Sequence, residues 1–241
     1  MMVSRKYDCI NCKTRCFSIL DACDLETLKV ISTYKHSRSI NKGERLFTEG
    51  ENVEGVYFIK KGFLKIEKNS TIDKPIILRV VSKGAILGHR ENLKNGLHTN
   101  SATATTDVQY CFIPYHLFSE IVKKSPVLKE QIINELLEEL ETTEKKAAIL
   151  AHKSVREKVA EVILLLARTY GYEERPYSFE INFSRQDLAD LIATTKEQVS
   201  KTMKDFEKEG IIKISGKKFT YLNLPVIKNI CGCISLPKDT L

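Results

Sequence analysis

Near the start of the chain Cys9, Cys12 and Cys16 stand close together in the stretch CINCKTRC. Thiolates are soft ligands and nucleophiles, so such a group can hold a metal or exchange electrons; its thiols can also be inert small hydrophobes in a core. Seven cysteines in 241 residues make an odd and sparse set, which argues against a disulfide framework and for metal or redox use. A second group has other chemistry. Lys196, Glu197, Ser200 and Lys201 offer ammonium, carboxylate and hydroxyl groups of the kind that read base edges, and Lys217 and Lys218 suit phosphate. Catalysis is not expected. The chain has no Gly-rich phosphate loop, no nucleophile elbow and no His-Glu pair of catalytic spacing, and His36, His89, His98, His116 and His152 are scattered.

A formal charge of +7 fits a polyanionic partner. The N-terminal stretch MMVSRKYDCINC lacks the apolar run of a secretory signal, and no stretch has the apolar length of a membrane span. A cytoplasmic protein is expected, with 42% hydrophobic residues dividing most naturally between two domains.

The elements that must position these groups follow from periodicity. From Lys35 to about Pro114, short apolar runs alternate with Gly43, Gly50, Gly55 and Gly62, the pattern of short strands and tight turns without helical crossovers. After Ser125-Pro126 the period changes. Leu128, Ile132, Leu136, Leu140, Thr143, Ala147 and Leu150 fall at steps of three and four, predicting one long amphipathic helix whose stripe suits a seam with a second subunit, the alternative being a helix that lies on its own domain. A further apolar helix, VREKVAEVILLLARTYG, stops at Gly171.

In SRQDLADLIATTKEQVSKTMKDFEKEG, Ser184 and Asp187 form a capping-box-like pair, and Leu188 and Ile192 face inward. The turn falls at Ala193-Thr194, Thr195 caps the next helix, and Val199, Met203 and Phe206 carry its inward stripe. Two short helices on a tight turn predict a helix-turn-helix, with the outward residues of the second helix entering the major groove. The stretch IIKISGKKFTYLN then reads as strand, turn and strand, a wing with Lys217 and Lys218 at its tip.

On these residues the chain resembles the CRP/FNR family of bacterial transcription regulators, in its FNR-like subgroup, over nearly its whole length. KGERLFTEGENVEGVYFIKKGFLKI is similar to the family's β-roll opening, and RQDLADLIATTKEQVSKTMKDF matches its DNA-reading pattern. The resemblance implies an α+β fold with a cysteine-bearing segment over 1–24, a β-roll sensor domain over 25–125, a dimerisation helix over 126–152 and a winged helix-turn-helix over 153–241. It also implies a homodimer on palindromic double-stranded DNA, with reading helices about 34 Å apart and RNA polymerase as a further partner. Arg185, Thr195, Lys196, Glu197, Ser200, Lys201, Lys217 and Lys218 become the expected DNA contacts, and the half-site is expected to resemble TTGA. Two positions depart from the family: Lys201 stands for the usual arginine, and Ala193 for the usual turn glycine, at a cost on the order of 1 kcal/mol if φ there is positive.

Cyclic-nucleotide binders of the family need a glutamate and an arginine where this chain has His89 and Asn100, so cyclic AMP is not expected as an effector. His89, Arg90 and His98 are read as exposed loop residues, with service to some other anionic effector as the alternative. FNR-type members hold a [4Fe-4S] cluster on three N-terminal cysteines and a fourth ahead of an Ile-Pro pair. By that resemblance Cys9, Cys12, Cys16 and Cys111 (in QYCFIP) are the expected ligands, although the N-terminal spacing is shorter than FNR's. Cys23 either replaces Cys16 or faces the core beside the helix that begins near Asp24. Zinc, a thiol switch and no metal are the alternatives, as is a same-fold regulator that answers to another small molecule or to none. Cys231 and Cys233 are read as non-ligating residues of a mobile tail.

Overall fold

A computed structural model of the chain describes residues 8–69, 75–90, 96–170, 178–180, 182–216, 218–221 and 223–232. After a short 3-10 turn at Arg15–Phe17, helix α1 spans Leu25–Tyr34. The Asp24 carboxylate caps it by accepting from the Thr27 backbone N–H at 2.7 Å, which satisfies one of the donors a helix start leaves open.

The glycine-punctuated region folds as strands β1 (His36–Ile40), β2 (Arg45–Phe47), β3 (Gly55–Lys61), β4 (Leu64–Lys68), β5 (Ile76–Val81), β6 (Ile86–Leu87), β7 (Ser101–Ala104) and β8 (Val108–Pro114). They make two four-stranded sheets, ordered β1-β8-β3-β6 and β2-β7-β4-β5. The β1-β8, β3-β8, β3-β6, β2-β7 and β4-β7 pairs are antiparallel, as expected of strands joined by turns rather than crossovers. Gly62 shows why one turn needs its residue: φ is +93°, and a Cβ there would stand 2.3 Å from the Asp107 carbonyl oxygen.

Helix α2 (Tyr115–Lys124) ends at Ser125, and Pro126 opens α3 (Pro126–His152), where its fixed φ suits a first helical position. α3 is apolar on two faces rather than along the single predicted stripe. Leu128 is fully buried and Ile132 packs against the first core, whereas Ile133, Leu137 and Leu140 are 48%, 58% and 56% exposed. Their steps of four and three define an outward seam that shares only Leu140 with the predicted stripe.

The remainder folds as α4 (Val155–Thr169), β9 (Ser178–Glu180), α5 (Arg185–Leu191), α6 (Lys196–Lys208), β10 (Ile212–Ser215), β11 (Lys218–Tyr221) and α7 (Leu224–Cys231). α4 begins with a complete capping box between Ser154 and Glu157 and buries Val159, Ile163 and Leu166. The Tyr221 hydroxyl donates to the Ile163 carbonyl at 3.0 Å. The reading of Cys231 as tail residue is corrected. It ends α7, which Asn223 caps, and its side chain is buried; Cys233 lies outside the described residues.

The chain divides into two compact units, Met1–Asn69 with Val80–Glu139, and Ser70–Arg79 with Leu140–Leu241. The first core joins α1, α2 and the β3-β8 sheet around Ile31, Val56, Phe58, Ile113 and Phe118. The second centres on α4, α6 and Phe206. Among the described residues no helix is long and apolar enough to cross a membrane.

Candidate nucleic-acid interface and thiol pocket

The helix-turn-helix is built by its caps. The Ser184 hydroxyl accepts from the Asp187 N–H at 3.0 Å while the Asp187 carboxylate accepts from the Ser184 N–H at 2.8 Å, closing a reciprocal box at the start of α5. The turn follows Ile192. Ala193 has φ +50°, the only positive φ outside glycine among the described residues, and the Thr194 N–H returns to the Ala189 carbonyl at 3.0 Å. Thr195 caps α6 by accepting from the Gln198 N–H at 3.2 Å. Val199, Met203 and Phe206 are buried, and this inward stripe turns Lys196, Glu197 and Lys201 outward, with Ser200 half-buried beside them.

The wing pairs β10 with β11 in antiparallel register, Ser215 opposite Lys218, and β9 adds a third strand. Gly216 takes the turn at φ +61°. Lys218 is exposed, and Lys217 lies outside the described residues. Arg185, expected as a DNA contact, is half-buried with its guanidinium 5.3 Å from the centre of the Phe219 ring. Burial lowers its pKa, and Glu207 opposes that shift. It thus ties the start of α5 to the wing.

Sequence reasoning passed over Arg156. Its guanidinium donates to both carboxylate oxygens of Glu209, at 2.8 and 2.5 Å, and lies 4.7 Å from the centre of the Phe206 ring. The partners are 53 positions apart, so no local pattern announces them.

In the first unit the cysteine segment lies against the β-roll. The Cys9 N–H donates to the Ser32 hydroxyl at 2.9 Å, and the Thr14 hydroxyl to the Lys60 carbonyl at 3.4 Å. Lys83 Nζ stands 3.9 Å from the centre of the Phe17 ring, and Gly84 passes so close that a Cβ there would be 2.0 Å from the Phe17 carbonyl oxygen. Cys9, Cys12 and Cys111 line a narrow cavity of about 30 Å³ with Ile31, Phe58 and Ile113. Cys9, Cys23 and Cys111 share the buried core, and Cys111 Sγ is 3.9 Å from the Ser37 hydroxyl. Burial pushes the Cys23 thiol up to about 11, and it also raises that of Cys111. Cys16 stands apart, exposed, with its thiol donating to the Lys13 carbonyl at 3.3 Å.

The donors are right in kind for an iron-sulfur cluster but not in place. Among the described residues no three of His, Cys, Asp and Glu are close enough to hold a metal ion, and the cavity is far smaller than a cube of iron and sulfide. As folded, the expected quartet does not fit the group.

Two histidines of the β-roll, His89 and His98, are not the exposed loop residues expected. His89 and His98 are both buried, and His98 stacks on Phe47 with centroids 3.8 Å apart and planes within 5°. Arg90 pairs with Glu139 at 3.0 Å, and Asn100 is buried.

Two family models match the chain: the cyclic nucleotide-binding domain over residues 37–125 and the Crp-like helix-turn-helix domain over 157–230. The transcriptional activator protein FnrL of Cereibacter sphaeroides is 24% identical over 217 residues, covering 87% of this chain and 86% of that protein. The anaerobic regulatory protein of Aggregatibacter actinomycetemcomitans is 25% identical over 201 residues, covering 82% and 77%. Among solved structures, FixK2 from Bradyrhizobium japonicum superposes with a TM-score of 0.75 at 20% identity, covering 83% of this chain and 99% of that one.

Proposed function

The chain is a DNA-binding transcription regulator of the CRP/FNR family, and on that premise we propose that it acts in the cytoplasm as a homodimer on palindromic DNA with TTGA-like half-sites. The observation that carries this reading is the first two turns of α6, where Thr195 fixes the helix start and Lys196, Glu197 and Lys201 face away from the core. In a major groove the Glu197 carboxylate accepts from a cytosine amino group, and Lys201 donates to guanine acceptors. Lysine lacks the planar fork of arginine, so discrimination at that base pair is weaker. Lys217, Lys218 and the Ser200 hydroxyl supply backbone and edge contacts, Thr195 sets the start of α6, Arg185 ties α5 to the wing, and RNA polymerase is the partner that turns binding into regulation. The outward seam of α3, Ile133, Leu137 and Leu140, supports the dimer.

Fluorescence anisotropy with a TTGA palindrome and randomised competitor tests this. The wild type should prefer the palindrome by at least a hundredfold. Glu197→Ala should relax preference at one base pair by about 1–3 kcal/mol. Lys218→Ala should weaken all duplexes alike and reduce the salt slope by about 1. No preference for the palindrome under oxidising or reducing conditions would overturn the proposal.

A redox signal is the second reading, favoured by relatives named for anaerobic regulation and for fumarate and nitrate reduction. A [4Fe-4S] cluster on Cys9, Cys12, Cys16 and Cys111 would supply oxygen-sensitive redox chemistry. Cys16 would first have to leave its outward position to join the other three. Iron and sulfide analysis of protein purified without oxygen, repeated with Cys111→Ser, separates this reading from a regulator that answers to another small molecule or to none.

A further inference from the structure

The end of α3 and the start of α4 meet at Lys153 and Ser154, and the side chains there reach far beyond the junction. Lys153 Nζ forms a buried ion pair with Glu161, two turns along α4, and also donates to the carbonyl of Cys231 at the end of α7. Both side chains of that pair are 9% exposed. A buried cation keeps such a geometry because any rotation that parts it from both acceptors leaves it unsolvated. Three residues on, Arg156 reaches α6: its guanidinium makes the two bonds to Glu209, directly after α6, and lies over Phe206 of α6 itself. The Ser154–Glu157 capping box fixes the backbone between these two anchors. The Arg156–Glu209 pair is itself largely solvent-exposed, so it contributes little to fold stability and its contribution is geometric.

We propose that Lys153 and Arg156 are positioning residues that lock α6 to the end of α3, and so set the half-site spacing the dimer accepts. The inference rests on the homodimer and palindrome reading above. In a two-fold dimer the seam fixes the two α3 helices to each other, and any freedom at this junction becomes freedom in the separation of the two reading helices.

The test is a spacer series. Affinities are measured for palindromes whose centre is lengthened or shortened by one and two base pairs, and for a duplex carrying one half-site. The wild type should show a sharp optimum, with at least tenfold loss two base pairs away. Arg156→Gln and Glu209→Gln should each flatten that profile to about threefold and leave half-site affinity unchanged; the double swap Arg156→Glu with Glu209→Arg should restore the optimum. Lys153→Met should act in the same direction, and the exposed Arg156 pair keeps the test decisive if that variant does not fold. A variant profile as sharp as the wild type, or equal losses on half-site and palindrome, overturns the proposal. A wild type that binds neither the half-site nor any palindrome with preference would instead sink the functional reading on which it rests.

Discussion

Ala193 carries a φ of +50° in the turn between α5 and α6, a conformation that costs an L-residue with a Cβ roughly 1–2 kcal/mol. Ala193→Gly should remove that strain, partly offset by the larger entropy of the unfolded chain, for a net gain of up to about 1 kcal/mol. Thermal unfolding should show it as a rise of a few degrees with DNA affinity unchanged; an unaltered midpoint would mean the turn is relaxed with alanine. This position was legible from sequence, because the turn sits between two capping signals. The thiols were less so. Their type could be read, but which of them face each other depends on how Phe17 and Gly84 pin the segment, and that is a tertiary matter. Cys231 and Cys23 give a pH test. Burial holds the first at about 12 and the second at about 11, against 9.0 for a free thiol. Between pH 9 and about 12 the folded chain keeps protons that the unfolded chain has lost, so stability falls as pH rises through that window. Cys231→Ala should lower the slope of melting temperature against pH above 9, and an unchanged slope would show that this thiol ionises as freely in the fold as in water.

At the scale of elements, the starts of α5 and α6 were the most legible features, because a hydroxyl cap and its partner three residues on need nothing from the rest of the molecule. Ser184→Ala removes the hydroxyl half of its box, leaves the backbone N–H to Asp187 in place, and should cost about 1 kcal/mol, read as a lower denaturant midpoint at constant m-value. A loss within a few tenths of a kcal/mol would mean that packing of Leu188 alone holds α5. Helix α7 was missed although Asn223 and Pro225 are ordinary start signals. It is short, and its stability comes from burial of Ile227 and Cys231 in the second unit rather than from its own turns. The predicted stripe of α3 divides between core and surface for a related reason, with Leu128 buried and Leu140 exposed. Leu128 and Ile132 spend the predicted stripe on the chain's own core, which periodicity cannot distinguish from a surface meant for a second copy.

At the scale of the whole molecule, the outward seam is the feature with most to lose from a single change. Ile133, Leu137 and Leu140 lie exposed on one stripe of α3 in a single chain, an arrangement that a soluble helix rarely leaves uncovered along several turns. Two copies pairing along it would bury all three side chains and bring two winged domains to one duplex. A carboxylate in the middle of such a stripe would sit unpaired between apolar side chains, a burden of roughly several kcal/mol on association. Leu137→Glu should therefore sediment as a monomer at micromolar concentration. Its affinity for a palindrome should drop to that of an isolated half-site, while base preference through Glu197 within the half-site persists, because α6 and its caps lie far along the chain from the substitution. A variant that still sediments as a dimer and still prefers the palindrome would place the subunit contact elsewhere on the chain, and the spacer series would then have to be interpreted around that other contact.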